Sequence, residues 1–300
     1  MSDIKLFTQT GASLSELAGS AAPLEKTLQT LFEQNLETLL GVRFLASEYM
    51  TSNSGRMDTI GIDENGYPVI IEYKRERDEN VINQGLFYLD WLMDHRGDFE
   101  LLVRNAFGKE TADAIEWSAP RLICIAADFT KYDEHAIKQM SRNIELIRYR
   151  RFGDDLLLLD LLTTVSTKPL PVSDPKTGRP HKYKTTLEYL ADASDALRAL
   201  SSDIETFLMG LGDDVVQKTL QHYVAYKRIK NFACVEFRPQ RDVIRLYLKV
   251  DPSSVELEDG FSRDVRDIGH YGTGDLEVTL CGREDFERAK SVIIRSYEAS

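Results

Sequence analysis

Cysteine is scarce, and its placement excludes two common kinds of scaffold. The 300-residue chain holds three, Cys124, Cys234 and Cys281, odd in number, far apart and without a paired Cys/His spacing. That pattern argues against a disulfide framework and against a zinc site, leaving free thiols in a reducing cytoplasm as the expected state. Long apolar runs are missing too. The longest, 156–162, is interrupted by Asp160 and reads as a buried strand, well short of the roughly 20 residues that cross a bilayer. The N-terminus shows no basic stretch followed by an apolar core, so no secretory signal is expected. A cytoplasmic protein without a membrane partner follows. Positive charge is in deficit, with 37 Lys and Arg against 49 Asp and Glu and a net charge of −12. Taken alone this weighs against nucleic acid, because phosphate contacts need local positive charge. Net charge governs solubility and steering, however, and an acidic protein can still carry a basic groove.

What is present suits a soluble globular chain: 42% hydrophobic and 29% charged residues, enough for one large domain or two ordinary ones. The sequence divides at a loop-like stretch, 163–184, holding Pro169, Pro171, Pro175 and Pro180 with Gly178 among them. Prolines this dense prevent regular structure. The expected organisation is a domain over 1–165, a Pro-rich linker over 166–186 and a second domain over 187–300.

In the first part, Leu24, Leu28, Leu31, Phe32, Leu36, Leu39 and Leu40 recur at helical spacing, and Gly41 is placed to stop the helix. A strand follows over 42–49. Two further strands, 56–62 and 67–74, flank Asp63-Glu64-Asn65-Gly66, and Asn-Gly between apolar runs signals a hairpin. A helix over 81–93, a strand over 121–126, a helix over 133–141 and strands over 144–151 and 156–161 complete a mixed sheet flanked by helices. The second part reads as a smaller α+β domain. Its expected elements are helices over 187–208 and 213–223, strands over 233–237, 243–250 and 276–280, and a closing helix over 284–297.

Chemistry concentrates on the hairpin. Alternate strand residues face one side, so Glu72 and Lys74 project together while Tyr73 faces the other way. The turn folds the first strand back and brings Asp58 alongside Glu72. Two carboxylates and an ammonium then converge. The carboxylates suit a hard divalent cation such as Mg²⁺ or Mn²⁺, and the lysine can orient or deprotonate an attacking water or stabilise charge on a phosphate. A Glu-x-Lys strand end is also what a solvated cross-strand ion pair looks like. The apolar run Val69-Ile70-Ile71 favours the chemical reading, because charges at the end of a buried strand need a reason.

Asp58, Glu72 and Lys74, followed by Gln84-x-x-x-Tyr88, resemble the PD-(D/E)xK nuclease superfamily, in particular its RecB-like and NucS-like branches. The resemblance covers roughly 24–162. It implies a restriction-endonuclease-like α/β core and a metal-dependent endonuclease hydrolysing DNA phosphodiester bonds, in defence, restriction or repair. By the same resemblance Asp58 and Glu72 hold Mg²⁺ (or Mn²⁺) and an acidic residue of the first helix joins them. Glu25 is the first choice and Glu33 and Glu37 are alternatives. Gln84 and Tyr88 contact the DNA backbone or brace Lys74. Met57 stands where the family often has proline. Arg75 and Arg77 either bind phosphate or pair with Glu76, Asp78 and Glu79. Arg148, Arg150 and Arg151 form a more one-signed cluster, expected to make a DNA-facing edge. A double-strand cutter needs two active sites, which makes a homodimer a further expectation. The alternative to the enzyme is a catalytically silent protein that keeps the fold for binding nucleic acid or a partner.

The second part resembles an uncharacterised domain found at the C-terminus of several bacterial proteins, on the stretch Ile268-Gly269-His270-Tyr271-Gly272-Thr273-Gly274-Asp275-Leu276-Glu277. Its glycines imply positive φ or close approach to a ligand. His270 beside Tyr271 suits either a ligand contact or loop packing. Tyr226-Lys227-Arg228-Ile229-Lys230-Asn231-Phe232 interleaves bases with aromatics, which fits a nucleic-acid surface or a helix end with solvated lysines. Recognition of the DNA feature to be cut, or self-association, is the role expected of this domain.

Overall fold

The computed structural model describes residues 4–76, 80–165 and 186–300, without the side chain of Leu187. The chain divides into two compact units, Met1–Val172 and Ser173–Ser300. The Pro-rich stretch expected as a linker lies outside the described residues, apart from Thr186 at its end, and so does Arg77. No helix among the described residues is long and apolar enough to cross a membrane.

The first unit runs β1 Leu6–Thr10, β2 Ser13–Leu17, β3 Gly19–Ser20, α1 Glu25–Gln34, α2 Leu36–Leu40, β4 Val42–Met50, β5 Arg56–Asp63, β6 Pro68–Lys74, α3 Val81–Asp94, α4 Arg96–Phe107, α5 Lys109–Asp113, β7 Arg121–Ala126, α6 Lys131–Ile137, β8 Asn143–Phe152 and β9 Leu156–Val165. β1 and β2 make a separate exposed ribbon. The others form a mixed sheet in the order β3-β8-β7-β6-β5-β4, with β9 also on β8. Only β6–β7 and β7–β8 are parallel. The single helix expected over 24–40 is two, broken at Asn35, whose non-helical φ of −129° and side-chain bond to Leu31 O at 2.8 Å end α1. The helices α4 and α5 lie where no element was expected. α4 buries only Phe99 and Val103, too thin a stripe to stand out as periodicity.

The strands β6 and β7 are buried along almost their whole length and carry continuous apolar runs, as central strands covered on both faces do. On one side Ile60, Ile62, Ile70, Leu122 and Leu146 pack with Leu89 and Leu92 of α3. Gly85 lets α3 lie directly on β7, since a Cβ there would stand 2.4 Å from Leu122. On the other side Phe32 of α1 meets Tyr73 edge-on at 5.6 Å.

The hairpin turn is fixed by its own polar groups. Asp63 Oδ1 accepts from Asn65 N and Tyr67 N, both at 2.9 Å, and Gly66 adopts φ 82°. The second Asp63 oxygen takes Arg121 at 2.7 Å, and Arg121 also grips Glu145 through two bonds of 2.9 and 2.8 Å. These three side chains are 2–6% exposed.

The second unit comprises α7 Thr186–Ala191, α8 Asp195–Met209, β10 Val216–Thr219, β11 Val224–Lys227, β12 Asn231–Arg238, β13 Val243–Leu248, β14 Ser262–Asp264, β15 Leu276–Leu280 and α9 Arg283–Glu298. Its sheet is antiparallel throughout, in the order β10-β11-β12-β13-β15-β14. Val235, Leu246 and Val278 meet Leu200 and Ile204 of α8 and Ile293 of α9. Two expectations are corrected here. The helix over 187–208 is α7 and α8, separated where Ser194 Oγ caps the second by accepting from Leu197 N at 3.0 Å. The helix over 213–223 is instead β10 and a turn, because Val216–Thr219 pair with Val224–Lys227. Val215, Val216 and Thr219 are β-branched, which favours that outcome.

Removing the Arg121 guanidinium would strand two buried carboxylates. Arg121→Ala is expected to destabilise the first unit by about 3–5 kcal/mol, whereas a surface pair such as Lys109–Asp113 is worth about 0–1 kcal/mol. Calorimetric unfolding of Arg121→Ala and of Lys109→Ala measures the difference.

Candidate functional site

The register of β5 on β6 pairs Thr59 with Ile71 and Ile60 with Ile70, which sets Asp58 level with Glu72. Asp58 N donates to Glu72 Oε1 at 3.2 Å, and Tyr73 N donates to Asp58 Oδ2 at 3.0 Å. Glu72 is fully buried, and its Oε2 has no hydrogen-bond partner. Burial, and then the neighbouring Asp58 charge, push its carboxyl from an ordinary value of 4.5 to about 9. Burial also raises Asp58, although the Tyr73 N–H and Lys74 hold it back in part.

Lys74 Nζ lies 3.4 Å from Glu25 Oε1, and Glu25 Oε2 accepts from Arg75 N at 3.2 Å. Burial alone would lower the lysine, but Glu25, Asp58 and Glu72 together hold it above its ordinary value. Of the three first-helix glutamates, Glu25 is the one at this cluster. Glu33 is engaged by Thr59 Oγ1 at 2.6 Å and Gln29 Nε2 at 3.0 Å, and Glu37 is exposed at the far end, in α2. No group of three or more His, Cys, Asp or Glu side chains among the described residues converges closely enough to hold a metal ion.

Gln84 and Tyr88 do not reach Lys74. Tyr88 is buried, and its hydroxyl accepts from Gln84 Nε2 at 3.2 Å and from Arg56 N at 3.3 Å. The pair therefore braces the first residue of β5, two positions before Asp58. The β4–β5 turn is tight against it, since a Cβ on Gly55 would stand 2.6 Å from the Tyr88 ring.

Among the arginines, the expectation for Arg148 is corrected. Arg148 sits inside the sheet, 6% exposed, bonded to Asp160 at 2.5 Å, and so makes no DNA-facing edge. Asp160 lies opposite it on β9, an acidic cross-strand partner that balances its charge. Arg150 packs its stem over Gly19, and Arg151 lies 3.8 Å from Asp154. Arg75 reaches Glu76 at 3.4 Å, which is the ion-pair alternative. In the second unit Tyr226, Lys227 and Phe232 are buried within β11 and β12, so the basic-aromatic stretch joins two strands and is not a helix end. His270 stacks on Tyr247 at 4.4 Å, with Nδ1 2.9 Å from Ile268 O. Gly272 and Gly274 meet the unit's own sheet, a Cβ on Gly274 falling 2.5 Å from Leu248 N, while Gly269 has nothing near it.

Sequence reasoning missed Glu48. It falls between the pairs Ser47↔Thr59 and Tyr49↔Met57, level with Asp58, and adopts φ 53°. Ser47 consequently meets Gln29 of α1 while Tyr49 meets Trp91 of α3, two residues that a regular strand would point the same way. Glu48 binds Lys26 at 2.9 Å and Arg56 at 2.8 Å. The Lys26 hydrogen bond, against some burial, keeps its carboxyl below the ordinary value. Left-handed backbone at a glutamate leaves no mark in a sequence.

Residues 187–300 match the family described as Domain of unknown function (DUF5655). Over the whole chain, an uncharacterized protein of Haemophilus influenzae (strain ATCC 51907 / DSM 11121 / KW20 / Rd) is 29% identical across 300 residues, covering 97% of this chain and 98% of that protein. Among solved structures, a repair endonuclease from Pyrococcus abyssi aligns with a TM-score of 0.30 and 19% identity, over 44% of this chain and 49% of that one. An EndoMS–dsDNA complex aligns with a TM-score of 0.29 and 20% identity, over 45% and 47%. The chain thus spans about half the length of these solved proteins, and a likeness at such scores settles neither site nor activity.

The buried carboxyl makes a pH prediction. In the unfolded chain Glu72 loses its proton near 4.5, while the folded protein holds it to about 9. Its contribution is therefore fully present below 4.5 and is lost as pH rises towards 9, by up to roughly 6 kcal/mol as an upper bound. Glu72→Gln has no proton to lose. In EDTA it should melt several degrees above wild type at pH 8 and level with it near pH 4.5. Equal melting at both values would count against a buried, protonated Glu72.

Proposed function

We propose that the first unit is a metal-dependent nuclease that hydrolyses DNA phosphodiester bonds at Asp58, Glu72 and Lys74. The observation that carries this reading is Glu72 Oε2, a carboxylate oxygen buried without a partner beside a second carboxylate. Such an atom is costly to bury unless something else satisfies it. The donor set fits a hard divalent cation: Asp58 and Glu72 offer only oxygen, and a site with two carboxylates leaves room for water and substrate phosphate. Mg²⁺ or Mn²⁺, when bound, would polarise the phosphoryl group and lower the pKa of an attacking water.

The protein's own groups have separable roles. Asp58 is fixed by Tyr73 N, and Glu72 by Asp58 N, so both carboxylates are oriented by backbone and not by mobile side chains. Lys74, half-buried among three carboxylates, keeps its proton. It therefore serves as a donor to a phosphate oxygen, and the attacking water must lose its proton elsewhere. Glu25 holds the ammonium in place. Gln84 and Tyr88 set the start of β5 and thereby the height of Asp58.

A mixed panel of duplex, branched, mismatched and single-stranded DNA, incubated with Mg²⁺ or Mn²⁺, tests the proposal. Asp58→Asn and Lys74→Ala should each cut at least about a hundred-fold more slowly than wild type. Wild type that binds DNA and cuts nothing would favour the catalytically silent binding protein instead.

A further inference from the structure

We propose that Lys26 and Arg56 form a clamp for the backbone phosphates of the nucleic-acid substrate, with Glu48 as the positioning residue that holds both. The inference rests on the nuclease reading and names the groups that would hold its substrate beside the carboxylates.

An acidic chain can take a polyanion only where positive charge is concentrated. At this end of the sheet Lys74 is engaged by Glu25, while Asp58 and Glu25 add negative charge. Lys26 and Arg56 are the counterweight. They stand on different elements, α1 and β5, yet meet on one carboxylate at 2.9 and 2.8 Å. Both remain largely in solvent, 59% and 62% exposed. Two cations sharing one anion leave a net positive charge level with Asp58.

Their remaining donors are free to act outward. Arg56 uses Nε on Glu48, which leaves both terminal guanidinium nitrogens for a bidentate phosphate contact. Lys26 gives one proton to Glu48 and one to Gln29 Oε1 at 3.2 Å, which leaves a third. Neither cation floats: Tyr88 fixes the Arg56 backbone, and Gln29, itself 3% exposed, reaches Asp58 O at 2.8 Å.

Glu48 explains why the arrangement reads as built. A non-glycine residue in left-handed backbone inside a strand is strained, and such strain persists where the surroundings impose it, often at functional sites. Exposed ion pairs repay little in stability. Strain kept for an ion pair of little value to the fold points to a use other than folding.

Binding of a labelled DNA duplex and its matching single strand to the full chain in EDTA, over a series of salt concentrations, tests this without relying on cleavage. Lys26→Gln and Arg56→Gln should each weaken binding and reduce the slope of log K against log salt by about 0.9. Glu48→Gln separates positioning from charge. Losing a negative charge would by itself tighten binding to DNA, whereas loss of the clamp weakens it several-fold. Glu48→Gly, which relieves the backbone, should bind as poorly as Glu48→Gln yet melt at or above wild type. Unchanged affinity and slope in Lys26→Gln and Arg56→Gln, or tighter binding by Glu48→Gln, overturns the clamp. If wild type binds and cuts while these variants match it, the clamp alone falls. If wild type neither binds nor cuts, the nuclease reading falls and takes the clamp with it.

Discussion

The register of β5 against β6 is the constraint on which the candidate centre depends. Thr59 opposite Ile71 places Asp58 beside Glu72. A slip of one residue would bring Tyr73 there and turn Glu72 into the face that packs on α1. The register is held at both ends by polar groups. At the turn Asp63 binds Asn65 N, Tyr67 N and Arg121, and at the open end Asp58 and Glu72 exchange bonds with backbone amides of the opposite strand. Position and chemistry therefore share the same carboxylates, and a change that loosens the turn also displaces the centre.

The centre itself is arranged against its own stability. Glu72 is buried beside another carboxylate, and Glu48 is held in left-handed backbone one strand further out. Like charges set side by side on a sheet repel. Elsewhere in the same unit the opposite holds: Arg121 and Arg148, equally buried, are matched by acidic partners at hydrogen-bond distance. The contrast between matched buried charges and a buried carboxyl with an unpartnered oxygen marks the Asp58 end of the sheet as different in kind, within a single protein and a single sheet.

Much of this was legible in the residues. Asn65-Gly66 marks the hairpin, Val69-Ile70-Ile71 marks a central strand, and period-two alternation puts Glu72 and Lys74 on one face. Those signals are local, and local rules reach them. The clamp was not legible, because Lys26, Glu48 and Arg56 meet only through tertiary folding and Glu48 owes its place to a backbone angle that its identity does not announce. Arg148 misled for the same reason, since its partner Asp160 lies across a strand pair and the run Arg148-Tyr149-Arg150-Arg151 looks one-signed in isolation. In the second unit 213–223 was expected as a helix, but Val215, Val216 and Thr219 next to a facing strand decided for β10. Gln84 and Tyr88 were visible as a pair; that their target is the Arg56 backbone was not.

The pairing of β3 with β8 joins Gly19 to Phe152 and Ser20 to Arg151, ends of the first unit that are remote along the chain. The β5–β6 hairpin, by contrast, closes over a short turn, and local contacts form fastest. During synthesis, which proceeds from the N-terminus, the strands bearing Asp58 and Glu72 leave the ribosome and pair well before β7, the parallel neighbour of β6, exists. For that interval the backbone edge of β6 has no partner, so the most aggregation-prone moment of the nascent first unit precedes the completion of its sheet.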